Sequence, residues 1–301
     1  MRKRRHRTRA AHAVVAAAVL ATAGCNAAGL EAEAGASRPS AAPPPVWDTS
    51  PDSIAAVGDS ITRGFDSCMV LTDCPEASWA TGSDASVNSL AVRLLGLTGA
   101  AQRSWNFAVT GSRMADLNSQ MAQAVRKKPQ LVTVMAGAND ACRDSLDAMT
   151  PVAVFRAEFQ AAMDTLRQAL PRTQVYVSSV PDLKRLWSEG RTNALGKQIW
   201  KLGICPSMLG DADALDAAAT KRRDTVQARV RAYNEVLKEV CAKDHRCRFD
   251  NNAVFDYRFG TDQLSRWDWF HPSRDGQARL AEIAYRTVTA KSPLKSPRTA
   301  P

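Results

Sequence analysis

Four short apolar runs punctuate the chain, each closing in small polar residues: "SIAAVGDS" (53–60), "SWNFAVTG" (104–111), "LVTVMAGAND" (131–140) and "QVYVSSVPD" (174–182). Each is near-continuous in its hydrophobicity rather than alternating, the pattern of strands covered on both faces. The first ends at Gly58. Between the third and fourth, Thr150 supplies an N-cap and Pro151 the first position of a helix. Phe155, Phe159, Met163, Leu166 and Leu170 then recur at helical spacing until Pro171. A second stripe follows at Val226, Val230, Tyr233, Leu237 and Val240. Both stripes read as core-facing helix surfaces. Strand–helix alternation of this kind predicts an α/β sandwich around a parallel sheet. In such sheets ligands sit beyond the carboxyl ends of the strands. There the polar punctuation collects: Gly58-Asp59-Ser60, Gly111, and Gly137-Ala138-Asn139-Asp140.

The two ends of the 301-residue chain break this rhythm. "MRKRRHRTRA" is a basic n-region, and "AHAVVAAAVLATAG" is an apolar run too short to span a membrane with these flanks; residues 1–24 read as an export signal. Residues 25–46, rich in Ala, Pro, Gly and Ser without a hydrophobic period, read as a tether. The folded domain is expected over 47–291 and a frayed tail over 292–301. No internal repeat is visible.

Charge changes little once the signal is set aside. Six of the 40 basic residues lie in the first ten positions, which leaves 34 against 30 acidic residues, about +4 rather than the formal +10. No basic stripe remains to follow a phosphate backbone, so nucleic acid is not an expected partner.

Seven cysteines constrain the picture further. In an exported chain six can pair, with 15 possible connectivities. Cys68/Cys74 and Cys241/Cys247 each suggest a short loop, leaving Cys142 with Cys205. The odd cysteine, Cys25, stands in "LATAGCN", which resembles a bacterial lipoprotein processing site with Thr22 where leucine is usual. Two readings stay open: lipidation of Cys25, which would anchor the protein at the outer face of the cell membrane, or cleavage after "ATA" and free secretion.

The candidate chemistry begins at Ser60. A serine hydroxyl is a poor nucleophile unless a base takes its proton. The chain has four histidines, of which His6 and His12 fall in the signal segment. His245, in "CAKDHRC", reads as part of a solvated loop. His271, in "SRWDWFHPSRDG", is left as the base. Asp268, three residues earlier, can orient the imidazole and stabilise its charged form. Gly111, Asn139 and the N–H of Ser60 are candidate donors to an oxyanion. A metal at Asp268 and His271 would need two more ligands, and neither another mature histidine nor a free cysteine pair offers them. No cofactor is expected.

"GDSIT", "NFAVTG", "GAND" and "DWFH" occur in the order and spacing of the four blocks of the SGNH, or GDSL, hydrolase family, which the chain resembles over about residues 53–285. "SWATGSD", "GANDAC", "ICPSML" and "FHPSRDGQARLAE" are similar to a secreted actinobacterial, phospholipase B-like branch. The resemblance implies a three-layer α/β/α sandwich, flavodoxin-like in its sheet. It also implies ester hydrolysis with Ser60 as nucleophile, His271 as base, Asp268 beside it, and Ser60, Gly111 and Asn139 as oxyanion donors. No G-x-S-x-G elbow occurs, which argues against the α/β-hydrolase fold. Some members orient the histidine with a backbone carbonyl, so the part played by Asp268 stays open. Asp59 and Asp140 read as turn and supporting residues, and Trp79 as either acyl-site lining or packing. Lipid or phospholipid acyl esters are the expected substrates of a monomeric enzyme whose only membrane contact is its N-terminal anchor. The alternatives are O-acetylated polysaccharide, or a surface module that binds glycan or lipid without turnover.

Overall fold

The computed structural model describes residues 46–292. The expectations for the export signal, for Cys25 and for the tail therefore lie outside the described residues.

Five parallel strands form the centre: β1 (Ile54–Gly58), β2 (Ser104–Asn106), β3 (Leu131–Met135), β4 (Gln174–Val177) and β5 (Cys247–Phe249), in the order β2-β1-β3-β4-β5. Ile54 stands opposite both Ser104 and Leu131, Leu131 opposite Gln174, and Val175 opposite Cys247. Every residue of β1, β3 and β4 is buried, as their unbroken apolar runs require. The edge strand β2 is shorter than its apolar run, three residues, all half-buried. β5 was not expected from the sequence. It is three residues long with Arg248 at its centre, so it carries no apolar run to recognise. Arg248 is buried nonetheless: its guanidinium donates to the carbonyls of Thr287 (3.0 Å) and Ala290 (2.6 Å) and lies 4.2 Å from the Trp47 ring centroid.

The helices are α1 (Ser60–Arg63), α2 (Leu90–Arg103), α3 (Met114–Val125), α4 (Ala138–Ala141), α5 (Val152–Ala169), α6 (Leu183–Gly190), α7 (Ala194–Trp200), α8 (Pro206–Leu209), α9 (Ala217–Ala242), α10 (Ala253–Asp256) and α11 (Arg274–Thr289). Parallel strands joined by right-handed crossovers place their helices on one face while the order advances and on the other when it reverses. Here the step from β1 to β2 runs opposite to the steps from β3 to β5. Accordingly α3 packs on α5 and α5 on α9, whereas α2, which follows β1, packs against α11. The expected stripes are where they should be: Phe155, Phe159, Met163 and Leu166 on α5, and Val226, Val230, Tyr233, Leu237 and Val240 on α9, are all buried.

One cap differs from expectation. Pro151, not Thr150, occupies the N-cap of α5, because the Thr150 hydroxyl is drawn away to donate to the buried Asp140 carboxylate at 2.7 Å. Disulfides join Cys68 to Cys74, Cys142 to Cys205 and Cys241 to Cys247, the pairing the spacing suggested. Among the described residues no helix is long and apolar enough to cross a membrane.

Candidate active site

The strand order reverses between β1 and β3, and the crevice beyond their carboxyl ends is where an open α/β sheet binds ligands. Gly58 closes β1 at φ +150°, and a Cβ there would lie 2.1 Å from the Met135 carbonyl oxygen of β3. Only glycine lets the two strand ends approach so closely. Asp59 follows as the N-cap of α1, its Oδ1 accepting from the Ile61 N–H at 3.0 Å. Because Asp59 does the capping, the next side chain is free. Ser60 Oγ lies 2.9 Å from His271 Nε2, across 211 residues of sequence.

His271 is carried by a loop rather than by an element. The Ser265 N–H donates to the His271 carbonyl (2.7 Å), and Leu264 bridges Pro272, so the segment closes on itself. The Trp200 indole donates to the Asp268 carbonyl at 2.6 Å, and Trp269, at φ +53°, packs its ring over Gly196. Inside this clamp Asp268 is wholly buried. Its Oδ1 accepts from the N–H groups of Phe270 and His271 at 3.0 Å each, and its Oδ2 accepts from His271 Nδ1. A carboxylate on Nδ1 fixes the proton there and leaves the Nε2 lone pair toward Ser60. A side-chain carboxylate, not a backbone carbonyl, faces Nδ1.

The electrostatics agree with that arrangement. Burial pushes the His271 imidazole down, but the Asp268 charge and hydrogen bond, helped by Asp66 and Asp59, outweigh it and raise the pKa above the ordinary 6.5. For Asp268, burial works upward and loses to the histidine charge and the three donors, so its carboxyl is held below the usual value. The Phe65 ring lies 5.0 Å and the Phe270 ring 5.5 Å from the imidazole, and the His271 side chain is only 12% exposed. Water is thereby thinned around the charged pair, which strengthens it.

The other expected residues gather at the same sheet edge. Asn139 lies in the first turn of α4, just past β3, and donates from Nδ2 to the Ser112 carbonyl at 2.9 Å. Gly111 follows β2 at φ +83°, exposed and with open space where a Cβ would stand. With Ser60 at the end of β1, three adjacent strands each present one candidate. Asp140 is buried and accepts from Thr150 Oγ1 and from the Met114 N–H at 2.9 Å. Burial raises its pKa to about 6 against those two bonds. Burial likewise raises Asp59 to about 7, opposed by the Ile61 N–H and the His271 charge. Both carboxylates fit the turn and supporting parts expected of them. Trp79 is fully buried, its indole donating to Thr62 Oγ1 (3.3 Å) and its ring edge-on to Tyr176 (6.0 Å). It belongs to the core. His245 is exposed between Cys241 and Cys247, as expected.

Three residues went unread in the sequence. Gln120 of α3 is buried and clamps the end of β1: Oε1 accepts from the Gly58 N–H (2.7 Å), while Nε2 donates to the Gly58 carbonyl and Ser112 Oγ, both at 3.0 Å. Phe65 faces the imidazole. Asp66 brings a carboxyl oxygen within 4.8 Å of ligand atoms of both Asp268 and His271. Gln120 had a faint signal, a polar residue on the buried stripe of an amphipathic helix. Phe65 and Asp66, in "GFDSC", had none.

A hydroxyl, an imidazole and a carboxylate in series can move a proton off the hydroxyl while a carbonyl is attacked. The profile of the GDSL-like lipase/acylhydrolase family matches residues 54–284. A search of curated proteins finds no match. Among solved structures, a catalytic mutant of an acetylxylan esterase from Geobacillus stearothermophilus is 19% identical, covering 79% of this chain and 94% of its own, at a TM-score of 0.49. A family 3 carbohydrate esterase from Clostridium thermocellum is 14% identical (78% and 93% covered, TM-score 0.46). An extracellular lipase from Streptomyces rimosus is 18% identical (77% and 99%, TM-score 0.41).

Proposed function

Because the chain belongs to the GDSL-like lipase/acylhydrolase family and is a carboxylic-ester hydrolase, we propose that Ser60 is its nucleophile, His271 its general base and Asp268 the group that orients the base. One observation carries the reading: Ser60 Oγ stands 2.9 Å from His271 Nε2 while the opposite ring nitrogen is held by a buried carboxylate. Ser60 attacks the ester carbonyl as its proton passes to Nε2. The N–H groups of Ser60 and Gly111 and the Asn139 amide receive the developing oxyanion. His271 then protonates the departing alcohol. A water molecule, deprotonated by the same nitrogen, releases the acid.

For substrate, the reading is an acyl ester with an extended apolar chain, as in lipids and phospholipids. Its support is the loop closed by Cys68 and Cys74. Met69, Val70 and Leu71 there are exposed, yet the loop is tied to the site: Leu71 N–H donates to Asp66, and Thr110, beside Gly111, donates to Asp73 at 2.5 Å. Exposed apolar side chains at the rim of a site mark it for an apolar partner. Three disulfides also support export, since such bonds persist in oxidising compartments. The reading extends to the N-terminal segment: Cys25 is lipidated and holds the protein at the outer face of the cell membrane, with free secretion as the alternative.

Labelling with a serine-directed fluorophosphonate, wild type beside Ser60→Ala, tests the nucleophile. Labelling that survives the substitution, or a variant that still cleaves p-nitrophenyl esters, refutes it. A chain-length series on those esters tests the substrate. A rate that peaks at acetate and falls with length replaces the lipid reading with a deacetylase.

A further inference from the structure

Asp66 is 1% exposed, and the structure gives its Oδ2 no hydrogen-bond donor. Its Oδ1 accepts from the Leu71 N–H. Its backbone is pinned on both sides: the N–H donates to the Thr72 carbonyl (3.0 Å), and the carbonyl accepts from Ser265 Oγ (2.6 Å), a residue of the His271 loop. The residue sits at φ +58°, a left-handed conformation that a non-glycine residue adopts at some cost. A carboxyl oxygen of Asp66, one of Asp268 and a ring nitrogen of His271 all lie within 4.8 Å of one another. Two buried carboxylates that close repel, and an oxygen without a donor is left desolvated. One proton relieves both problems.

We propose that Asp66 is a positioning residue whose protonated carboxyl donates a hydrogen bond to the Asp268 carboxylate and so holds the orienting group of His271 in place. This rests on the reading of Ser60, His271 and Asp268 given above. The Asp268 carboxylate already accepts from Phe270, His271 N–H and Nδ1, and a fourth donor at Asp66 completes its shell and spreads its charge. Burial, reinforced by the charge of Asp268 and opposed by that of His271 and the Leu71 N–H, raises Asp66 to about 7. The proton is thus present in mildly acid solution and leaves on the alkaline side. Once ionised, Asp66 adds a second negative charge that favours imidazolium and raises the basicity of His271.

On the loop side stand Asp268 and His271, with Asp59 acting on His271 from the end of β1. Asp66 also borders a cleft of about 450 Å³ whose charged walls are Arg266, Arg274, Asp262 and Asp275. Arg274 is paired there with Asp84 (2.8 Å). Asp73, on the disulfide-closed loop, is paired with Arg63 at the end of α1 (3.0 Å).

The test uses the full-length enzyme with Asp66→Asn and Asp66→Leu. Asparagine can donate to Asp268 and still accept from Leu71 N–H; leucine can do neither. Read below pH 7, where Asp66 still holds its proton, loss of a donor to a charged group predicts a kcat about 10–100-fold lower in Asp66→Leu with KM little changed. Asp66→Asn should recover most of that loss. Because it cannot gain the second charge, its acid limb of kcat/KM should move to lower pH by about half a unit or more, the effect of a unit charge about 5 Å away even in water. The His271 Nδ1–H proton resonance should follow the same shift. Should Asp66→Leu fail to fold, Asp66→Asn alone decides. An unshifted acid limb and an unshifted Nδ1–H titration in Asp66→Asn overturn the proposal, as does wild-type kcat in a folded Asp66→Leu. If Ser60→Ala remains active, the underlying triad reading has failed instead; if Ser60→Ala is dead and the Asp66 variants behave as wild type, only Asp66 has been misread.

Discussion

Replacing Asp268 with asparagine isolates orientation from folding. The two sites on the side chain are already distinguished: Oδ1 accepts the N–H groups of Phe270 and His271 at 3.0 Å, and Oδ2 faces Nδ1. Both N–H donors demand an oxygen, so the asparagine oxygen must stay at Oδ1 and its NH2 must turn toward the imidazole. That amide can only donate. The imidazole must then accept at Nδ1 and carry its proton on Nε2, where it meets Ser60 as a donor and cannot take the serine proton. Loss of the correct tautomer in a serine triad costs about 10⁴ in kcat, and that is the expected loss here, with KM little changed. Because the asparagine keeps both backbone bonds, thermal unfolding should stay close to wild type. Asp268→Ala supplies the contrast. It strands two buried N–H groups at about 1–3 kcal/mol each, which for a domain of this size lowers Tm by at least about 4 °C. Single-turnover and steady-state kinetics on p-nitrophenyl esters, beside calorimetry, read both quantities. A kcat within tenfold of wild type in Asp268→Asn would refute the tautomer argument and assign the orientation of His271 to another group.

Other expectations follow from the same geometry. In the proposed mechanism the base is neutral His271, whose pKa is raised by Asp268 over the effect of burial. Activity should therefore rise with pH through a limb above the ordinary histidine value; a kcat/KM limb below 6 contradicts this. Asn139→Ala removes one of the proposed oxyanion donors and should lower kcat about 10²–10³-fold, and an unchanged kcat removes Asn139 from that role. Asp59 has a buried Oδ2 without a donor and a pKa raised to about 7. A pKa above the unfolded 3.8 means its ionised form opposes folding, an effect absent below that pH and full once pH exceeds 7. Asp59→Asn, which still caps α1, should gain up to about 4 kcal/mol at pH 8 and almost nothing at pH 4; denaturant midpoints at both values check it. Cys142 and Cys205 are 63 residues apart, the other two pairs 6 apart. Chain entropy puts removal of the long bridge at about 4 kcal/mol and of either short one at about 2, and chemical denaturation of the three double-serine variants ranks them.

The legible part of this molecule was whatever obeys local rules. β1, β3 and β4 announced themselves because strands buried on both faces must be apolar throughout, and α5 and α9 because one buried stripe recurs at the helical period. β5 was silent, since its three residues centre on an arginine that the fold neutralises with carbonyls from the end of α11 and with the Trp47 ring. The N-cap at Thr150 was placed one residue early for a comparable reason: local propensity favours threonine there, and a buried carboxylate brought by β3 outbid it.

For the site, composition and elimination reached far. Two of four histidines fall in the leading segment, a third sits in a charged loop between paired cysteines, and His271 is what remains for Ser60. That proposal needed no structure, because a serine nucleophile would demand a base and the chain offers little choice; the structure adds that the two side chains meet at 2.9 Å. What only the tertiary structure decided is how the base is held. A spacing of three residues allows Asp268 to reach Nδ1 but does not require it; the reach is imposed by the Trp200 bond and by the loop folding back on Ser265. Asp66 and Gln120 are ordinary polar letters until the fold buries them, and burial is what turns a carboxyl into a proton donor and an amide into a clamp. Local patterning records which side chains avoid water, whereas the properties of a buried polar group depend on partners that the fold brings from elsewhere in the chain.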